Sequence, residues 1–208
     1  FNEGLFNKMP VIGIMRNFTT EQINSIVPVY IKAGLTNLEV TMNSDSALDI
    51  IKSLSQEYPQ LNIGAGTVCT VKDLEDALGA GASFIVTPIL NLDVMRICKE
   101  AHIPIYPGAF TPLEIYNAWS EGASAVKIFP ATQLGPGYVK DVLAPLNYVK
   151  LLPTGGVSID NIQAFFKAGA VGVGMGSTLF DKKMINDNDY ESLLSHFELI
   201  YEKVSECI

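Results

Sequence analysis

The chain has 208 residues, 48% apolar and 17% charged, a balance that fits one globular core and excludes an intrinsically disordered protein. Its formal net charge of −8 argues against nucleic acid and anionic membranes as partners, since both need a basic patch, yet leaves room for a small anionic ligand. No apolar run approaches the ~18 residues of a membrane span. Phe1–Met9 lacks the basic-then-apolar pattern of a secretory signal, and Cys69, Cys98 and Cys207 have no metal-like spacing. The expectation is a soluble cytoplasmic protein with free thiols.

From Val11 onward short apolar runs alternate with amphipathic stretches. Val11–Met15 reads as a first strand, followed by Arg16. Thr19 and Thr20 offer caps for a helix with Ile23, Ile26, Val27, Tyr30 and Ile31 at helical spacing, stopped at Ala33-Gly34. Leu38–Met42 is a second strand, with Ser44 or Asp45 capping the next helix through Leu54. Asn62–Thr67 is a glycine-rich third strand, with a helix near Val71–Leu78.

The second half repeats the scheme. Phe84–Pro88 and its helix Leu92–Lys99 come next, then a brief strand Ile105–Pro107 and a helix opened by Thr111-Pro112. Ala125–Ala131 is strand six, Val149–Pro153 strand seven, Val171–Met175 strand eight, and Tyr190–Val204 a last helix. Ala33-Gly34-Leu35, Ala80-Gly81-Ala82, Glu121-Gly122-Ala123 and Ala168-Gly169-Ala170 each close a helix just before a strand, at intervals of about two βα units. Alternating β and α elements with continuous apolar strands predict a parallel sheet covered by helices. Eight units in this length predict a single (β/α)8 TIM barrel domain spanning 1–208; a doubly wound open sheet is the rival.

In a barrel the C-terminal strand ends converge on one mouth. Two ionisable residues there stand inside apolar strands, Glu39 and Lys127. Burial lowers a lysine pKa, and a neutral amine can condense with a carbonyl to form a Schiff base. A carboxylate opposite it would move protons; a structural ion pair is the alternative. The glycine loops Pro153–Ser158 and Gly174–Ser177 suit an anion held by backbone amides, with Ser177 adding a hydroxyl and Arg16 a cation. Gly64-Ala65-Gly66-Thr67 could seat a carboxylate in the same way. The two histidines, His102 and His196, lie off the strand ends, so neither a metal site nor a His-activated nucleophile is predicted.

Leu38-Glu39-Val40-Thr41, Gly64-Ala65-Gly66-Thr67-Val68, Val86-Thr87-Pro88, Val126–Ala131 and Pro153–Val157, in that order, resemble the KDPG/KHG aldolase family, class I pyruvate aldolases on a (β/α)8 barrel. The resemblance runs from about Pro10 to Phe180. It implies Lys127 as the Schiff-base lysine and Glu39 as the proton shuttle. Thr67 falls near the pyruvate carboxylate, and Pro88 and Phe129 line the pocket. Arg16, Gly155, Gly156 and Ser177 take the substrate phosphate, with Gly176 in the same loop, and Thr154 contacts the substrate chain. It also implies a keto-acid phosphate substrate, a homotrimer, and no metal or cofactor. One position departs: Asn43 stands where the phosphogluconate enzymes carry an arginine, and Asn43-Ser44 is similar to the 6-phosphogalactonate aldolases. Cleavage of 2-dehydro-3-deoxy-6-phosphogluconate is therefore the expectation, with the galactonate epimer as alternative and 4-hydroxy-2-oxoglutarate as a possible second substrate. A non-aldolase phosphate-binding barrel and a sugar-phosphate-binding protein are the rival functions.

Overall fold

A computed structural model describes all 208 residues. The chain runs α1 (Glu3–Lys8), β1 (Val11–Met15), α2 (Thr20–Lys32), β2 (Asn37–Thr41), α3 (Ala47–Glu57), β3 (Asn62–Gly66), α4 (Val71–Gly79), β4 (Phe84–Val86), α5 (Leu92–Glu100) and β5 (Ile105–Tyr106). It continues β6 (Gly108–Ala109), α6 (Pro112–Ser120), β7 (Val126–Ile128), α7 (Gly135–Leu143), β8 (Leu151–Pro153), α8 (Ile162–Lys167), β9 (Val173–Met175), α9 (Lys182–Asn186) and α10 (Tyr190–Ser205).

The strands are parallel throughout and form a curled sheet with helices on its outer side. One six-stranded part runs β5-β4-β3-β2-β1-β9 and a three-stranded part runs β6-β7-β8, with a single parallel bridge from Thr154 to Gly174 between β8 and β9. The predicted fifth strand, Ile105–Pro107, ends at Tyr106, and a second short strand, β6, follows Pro107 from Gly108. Pro107 has no N–H to give a ladder, although its carbonyl still accepts from Lys127 N at 2.9 Å.

The helix ends explain the recurring glycines. Gly34, Gly81, Gly122 and Gly169 all hold φ between 86° and 104°, where a side chain would be strained. After each, the next residue's N–H returns to a carbonyl in the last turn, as Leu35 N does to Tyr30 O at 3.2 Å and Ala170 N to Phe165 O at 3.1 Å. Helix starts are as readily explained at α2, α4 and α6, where Thr19, Thr70 and Thr111 form capping boxes with Gln22, Asp73 and Glu114. The expected cap of α3 is not used. Ser46, in a left-handed conformation, precedes that helix and gives it no side-chain bond. Ser44 is engaged elsewhere: its hydroxyl accepts from Asn17 N at 2.9 Å and lies 2.8 Å from the Thr41 hydroxyl. Two short helices, α1 and α9, were not foreseen, being too brief to show a period.

The apolar interior has two parts. A large cluster of 51 buried residues packs the outer faces of the strands against the helices. A smaller one, built on Phe6, Ile12, Phe84, Val86, Tyr106, Ala125 and Leu152, fills the concave side at the N-terminal strand ends. Phe6 reaches it from α1 and meets Tyr106, with ring centroids 5.8 Å apart; Phe84 meets Tyr106 edge-on at 5.9 Å. Each such aromatic contributes roughly 1.5–3 kcal/mol of burial. α1 is fixed there by Asn62, whose amide donates to Asn2 O at 2.9 Å and accepts from Asn2 N at 2.7 Å. No helix is long and apolar enough to cross a membrane.

Candidate active site

Strand alternation places Asn37, Glu39 and Thr41 of β2 on the concave side, and Ala125, Lys127 and Phe129 likewise on and around β7. Glu39 is 1% exposed and Lys127 4%. Lys127 stands between Gly108 of β6 and Leu152 of β8, and Glu39 between Ile14 of β1 and Gly64 of β3.

The two groups do not form an ion pair. The chain's two salt bridges, Lys72–Asp76 at 2.7 Å and Arg96–Asp93 at 3.2 Å, lie on helix surfaces. Neither Lys127 Nζ nor the Glu39 carboxylate has a hydrogen bond, yet no wholly enclosed side-chain nitrogen or oxygen lacks a partner. Each polar end therefore touches solvent-accessible space. The structural ion pair posed above as the alternative is absent.

Burial pushes the Glu39 carboxyl up, outweighing the downward pull of Lys127 and Arg16. Burial also pushes the Lys127 ammonium down; Glu39 opposes that shift and Arg16 reinforces it. Both shifts favour the neutral form, because desolvation penalises each charge more than the partner recovers. The Phe129 ring lies under the amine, 4.8 Å from Nζ to its centroid. Such a contact favours the ammonium, by about 0.5–2 kcal/mol, less than burial of the charge costs.

Lys127 opens on a hollow of about 330 Å³ at the C-terminal strand ends. Of the residues singled out from sequence, Arg16, Phe129 and Thr154 line it beside Lys127, and so do Gly155, Gly156, Gly176 and Ser177. Gly155 and Gly156 hold φ of 91° and 74°, and a side chain at 156 would also run into Thr132. Glu39, Asn43, Thr67 and Pro88 are not in its lining. Glu39 still acts on the lysine electrostatically, whereas Asn43 makes no side-chain hydrogen bond and Thr67 adopts a left-handed φ of 58°. Sequence reasoning missed Asn17, Thr178 and Lys182 in the lining. Lys182 carried no signal, since one of two adjacent lysines opening a short helix is commonplace.

Gly64 and Gly66 also serve the packing of the sheet. A methyl at 66 would overlap the Glu39 carboxylate, and one at 64 would overlap the Phe84 ring. These glycines make room for side chains of the neighbouring strands. A larger hollow, about 760 Å³, opens at the opposite end against Phe1, Phe6 and Tyr106. Neither Lys127 nor Glu39 lines it, so the smaller hollow is the candidate site. His102 lines that far hollow, and the His196 ring lies 2.9 Å from Thr178 O.

A parallel α/β fold with an unpaired, buried amine facing a carboxyl group at its strand ends defines an enzyme equipped to form an imine with a carbonyl compound. The sequence pattern of the family described as KDPG and KHG aldolase matches residues 3–195. The 2-dehydro-3-deoxy-phosphogluconate aldolase of Haemophilus influenzae is 32% identical over 187 residues, covering 89% of this chain and 88% of that one. The 2-dehydro-3-deoxy-6-phosphogalactonate aldolase of Escherichia coli K12 is 33% identical over 175 residues, covering 83% and 85%. The crystal structure of KDPG aldolase from Legionella pneumophila, with pyruvate captured at low pH as a covalent carbinolamine intermediate, superposes with a TM-score of 0.84 at 26% identity, covering 98% and 96%. The chain belongs to the KDPG and KHG aldolase family, and it is an enzyme of the lyase class.

Proposed function

We propose that this protein cleaves 2-dehydro-3-deoxy-6-phosphogluconate to pyruvate and glyceraldehyde 3-phosphate through an imine on Lys127. The observation that carries the reading is Lys127 itself: an amine 4% exposed, with no acid bonded to it, opening on a hollow also lined by Arg16 and four glycine-loop residues.

The proton inventory closes on the two neutral groups. The Lys127 amine adds to the C2 carbonyl, giving a carbinolamine. Glu39, whose protonated form burial favours, gives its proton to the departing hydroxyl; water leaves and a protonated imine forms. The Glu39 carboxylate then accepts the C4 hydroxyl proton, directly or through water. The C3–C4 electron pair moves toward the imine nitrogen, the aldehyde is released, and an enamine remains. Glu39 returns the proton to C3, which becomes the pyruvate methyl. Water adds to C2 with Glu39 taking its proton, and collapse restores amine and acid. Every step is a proton transfer, an addition or elimination at C2, or the C3–C4 cleavage whose electron pair the protonated imine accepts, so the cycle needs no metal or cofactor. Thr67 and Pro88 border the pyruvate end in this reading, with Asn43 beyond them. Thr154 meets the substrate chain, and Arg16, Gly155, Gly156, Gly176 and Ser177 hold the phosphate.

The 6-phosphogalactonate epimer is the second substrate to weigh, since the E. coli relative of that name is as similar as the phosphogluconate enzymes. We also infer that the two sheet parts belong to one closed (β/α)8 barrel forming a single domain. The ladders on both sides of Pro107 and the Thr154–Gly174 bridge support it. A homotrimer in the cytoplasm is the assembly and location we propose; free Cys69, Cys98 and Cys207 suit a reducing compartment. Incubation with pyruvate and borohydride, followed by peptide mass mapping, tests the core of the reading. A reduced pyruvyl group on the Lys127 peptide is expected. Its absence, with cleavage still running, would sink the imine mechanism.

A further inference from the structure

The lining of the Lys127 hollow contains three basic residues, Arg16, Lys127 and Lys182, and no aspartate or glutamate. That is the reverse of the whole chain, in which 22 acidic residues outnumber 14 basic ones. Lys127 is deep and pushed toward neutrality, so the standing charge of the wall comes from Arg16 and Lys182. The two arrive from different elements, Arg16 from the loop after β1 and Lys182 from the first residue of α9. The glycine loops share that hollow, with Gly155, Gly156, Gly176 and Ser177 in its lining.

Two details keep both charges available to a ligand. Lys182 has no salt bridge, and the carboxylate next to it in the chain, Asp181, is turned onto α9, accepting from Lys183 N at 2.8 Å and Met184 N at 3.0 Å. Arg16 is likewise unpaired, and its loop is tied down one residue later, where Asn17 N donates to the Ser44 hydroxyl. A phosphate monoester carries nearly two negative charges at neutral pH. One arginine leaves it half compensated; the lysine in the same lining completes the match, and the local positive field offsets the general repulsion of a −8 chain.

We infer that Lys182 is a second phosphate-binding cation of this site, and that with Arg16 it sets the enzyme's preference for phosphorylated over unphosphorylated keto acids. This rests on the aldolase reading above. The test compares the native enzyme with Lys182→Gln and Lys182→Arg in three measurements. These are KM for the phosphorylated substrate, the pyruvate concentration giving half-maximal borohydride trapping, and the thermal shift produced by inorganic phosphate. In Lys182→Gln, KM for the phosphorylated substrate should rise about 5- to 10-fold, as for one partly exposed charge-assisted contact. Pyruvate trapping should keep its half-saturation, the phosphate shift should shrink, and Lys182→Arg should restore most of the loss.

An unchanged KM together with an unchanged phosphate shift would overturn the assignment. So would equal losses for pyruvate and phosphorylated substrate, since that marks a structural defect. Absence of pyruvate trapping in the native enzyme would instead remove the aldolase reading. A phosphate shift that still depended on Lys182 would then leave the anion site standing.

Discussion

Gly64 and Gly66 sit two residues apart on the concave side of β3, and adding a methyl to each separates structure from chemistry. At 64 the methyl would enter the Phe84 ring, a fully buried wall of the inner apolar cluster. That ring cannot withdraw without breaking its contact with Tyr106, so Gly64→Ala is an overpacking change costing about 1–3 kcal/mol, or more if the backbone shifts. At 66 the methyl would occupy the place of the Glu39 carboxylate. A carboxyl group is the far end of a flexible side chain and can rotate aside, so the stability cost falls at the low end of the same range. Displacement by an ångström or so of the group proposed to move every proton should cost far more in rate, on the order of 100-fold in kcat. Urea unfolding and steady-state cleavage on the same two variants measure both quantities. Gly66→Ala should stay folded with a collapsed kcat, and Gly64→Ala should lose stability while its folded fraction keeps most of the activity. Near-native kcat in Gly66→Ala, or the same proportional loss of stability and rate in both variants, would refute the placement of Glu39 in the chemistry.

Glu39→Gln should lower kcat by roughly 100- to 10,000-fold, the usual contribution of a positioned acid–base group. In the native enzyme kcat/KM should be bell-shaped, the acid limb reporting release of a proton from the amine and the alkaline limb loss of the carboxyl proton, with both limbs properties of the pair. Removing the carboxyl should abolish the alkaline limb. The acid limb should stay in place or move slightly up, because the protonated carboxyl and the amide that replaces it are both uncharged neighbours of the amine; an alkaline limb that persists would assign it elsewhere. For stability, Lys127 is depressed in the fold, so between its folded value and the ordinary lysine value near 10.4 the unfolded chain binds more protons and stability gained from this group rises with pH. Glu39 has the opposite sign: its raised value makes stability fall as pH climbs from about 4.3 through the folded value. Lys127→Met, similar in volume, should therefore be inactive yet about 1–2 kcal/mol more stable than the native enzyme at pH 7, an advantage that fades toward pH 10. Urea titrations at several pH values check this, and a variant that is less stable with no change of slope would contradict a depressed lysine.

The architecture was readable where its signal is local. Helix caps, the four glycine stops and the apolar strand runs depend on residues a few positions apart, and all four stops fold as expected. The interruption at Pro107 needed knowledge of which strand follows which in the ladder. The cap assigned to Ser44 failed because a loop 27 positions earlier in the chain claims its hydroxyl. The lysine and the acid were visible because burying an ionisable residue in an apolar strand is costly enough to be rare. Their relation to each other was not: whether they form an ion pair or face an open hollow depends on side-chain placement across the sheet. Gly64 and Gly66 suggested a ligand-binding loop, but their partners Phe84 and Glu39 lie on adjacent strands about 20 to 27 positions away.

The same cross-strand reasoning explains why a free amine can exist at this depth. The concave side is built in two levels. At the N-terminal strand ends Phe6, Phe84 and Tyr106 fill the space, and Gly172, where a methyl would press on Phe6, lets the α1 plug seat. One level up, glycines replace bulk: Gly66 beside Glu39, Gly174 beside the Thr154 side chain, and Gly176 on the hollow wall. The lower level denies Lys127 water from beneath, which depresses its pKa, and the upper level leaves room for a keto acid above. A fully packed upper level would have driven the lysine toward Glu39 and closed an ion pair. A water-filled lower level would have kept it charged. The unpaired amine thus follows from the change in packing along the strands, with an aromatic plug at one end and glycines opening space beside Phe129 at the other, and the proposed chemistry needs those glycines as much as the amine they expose.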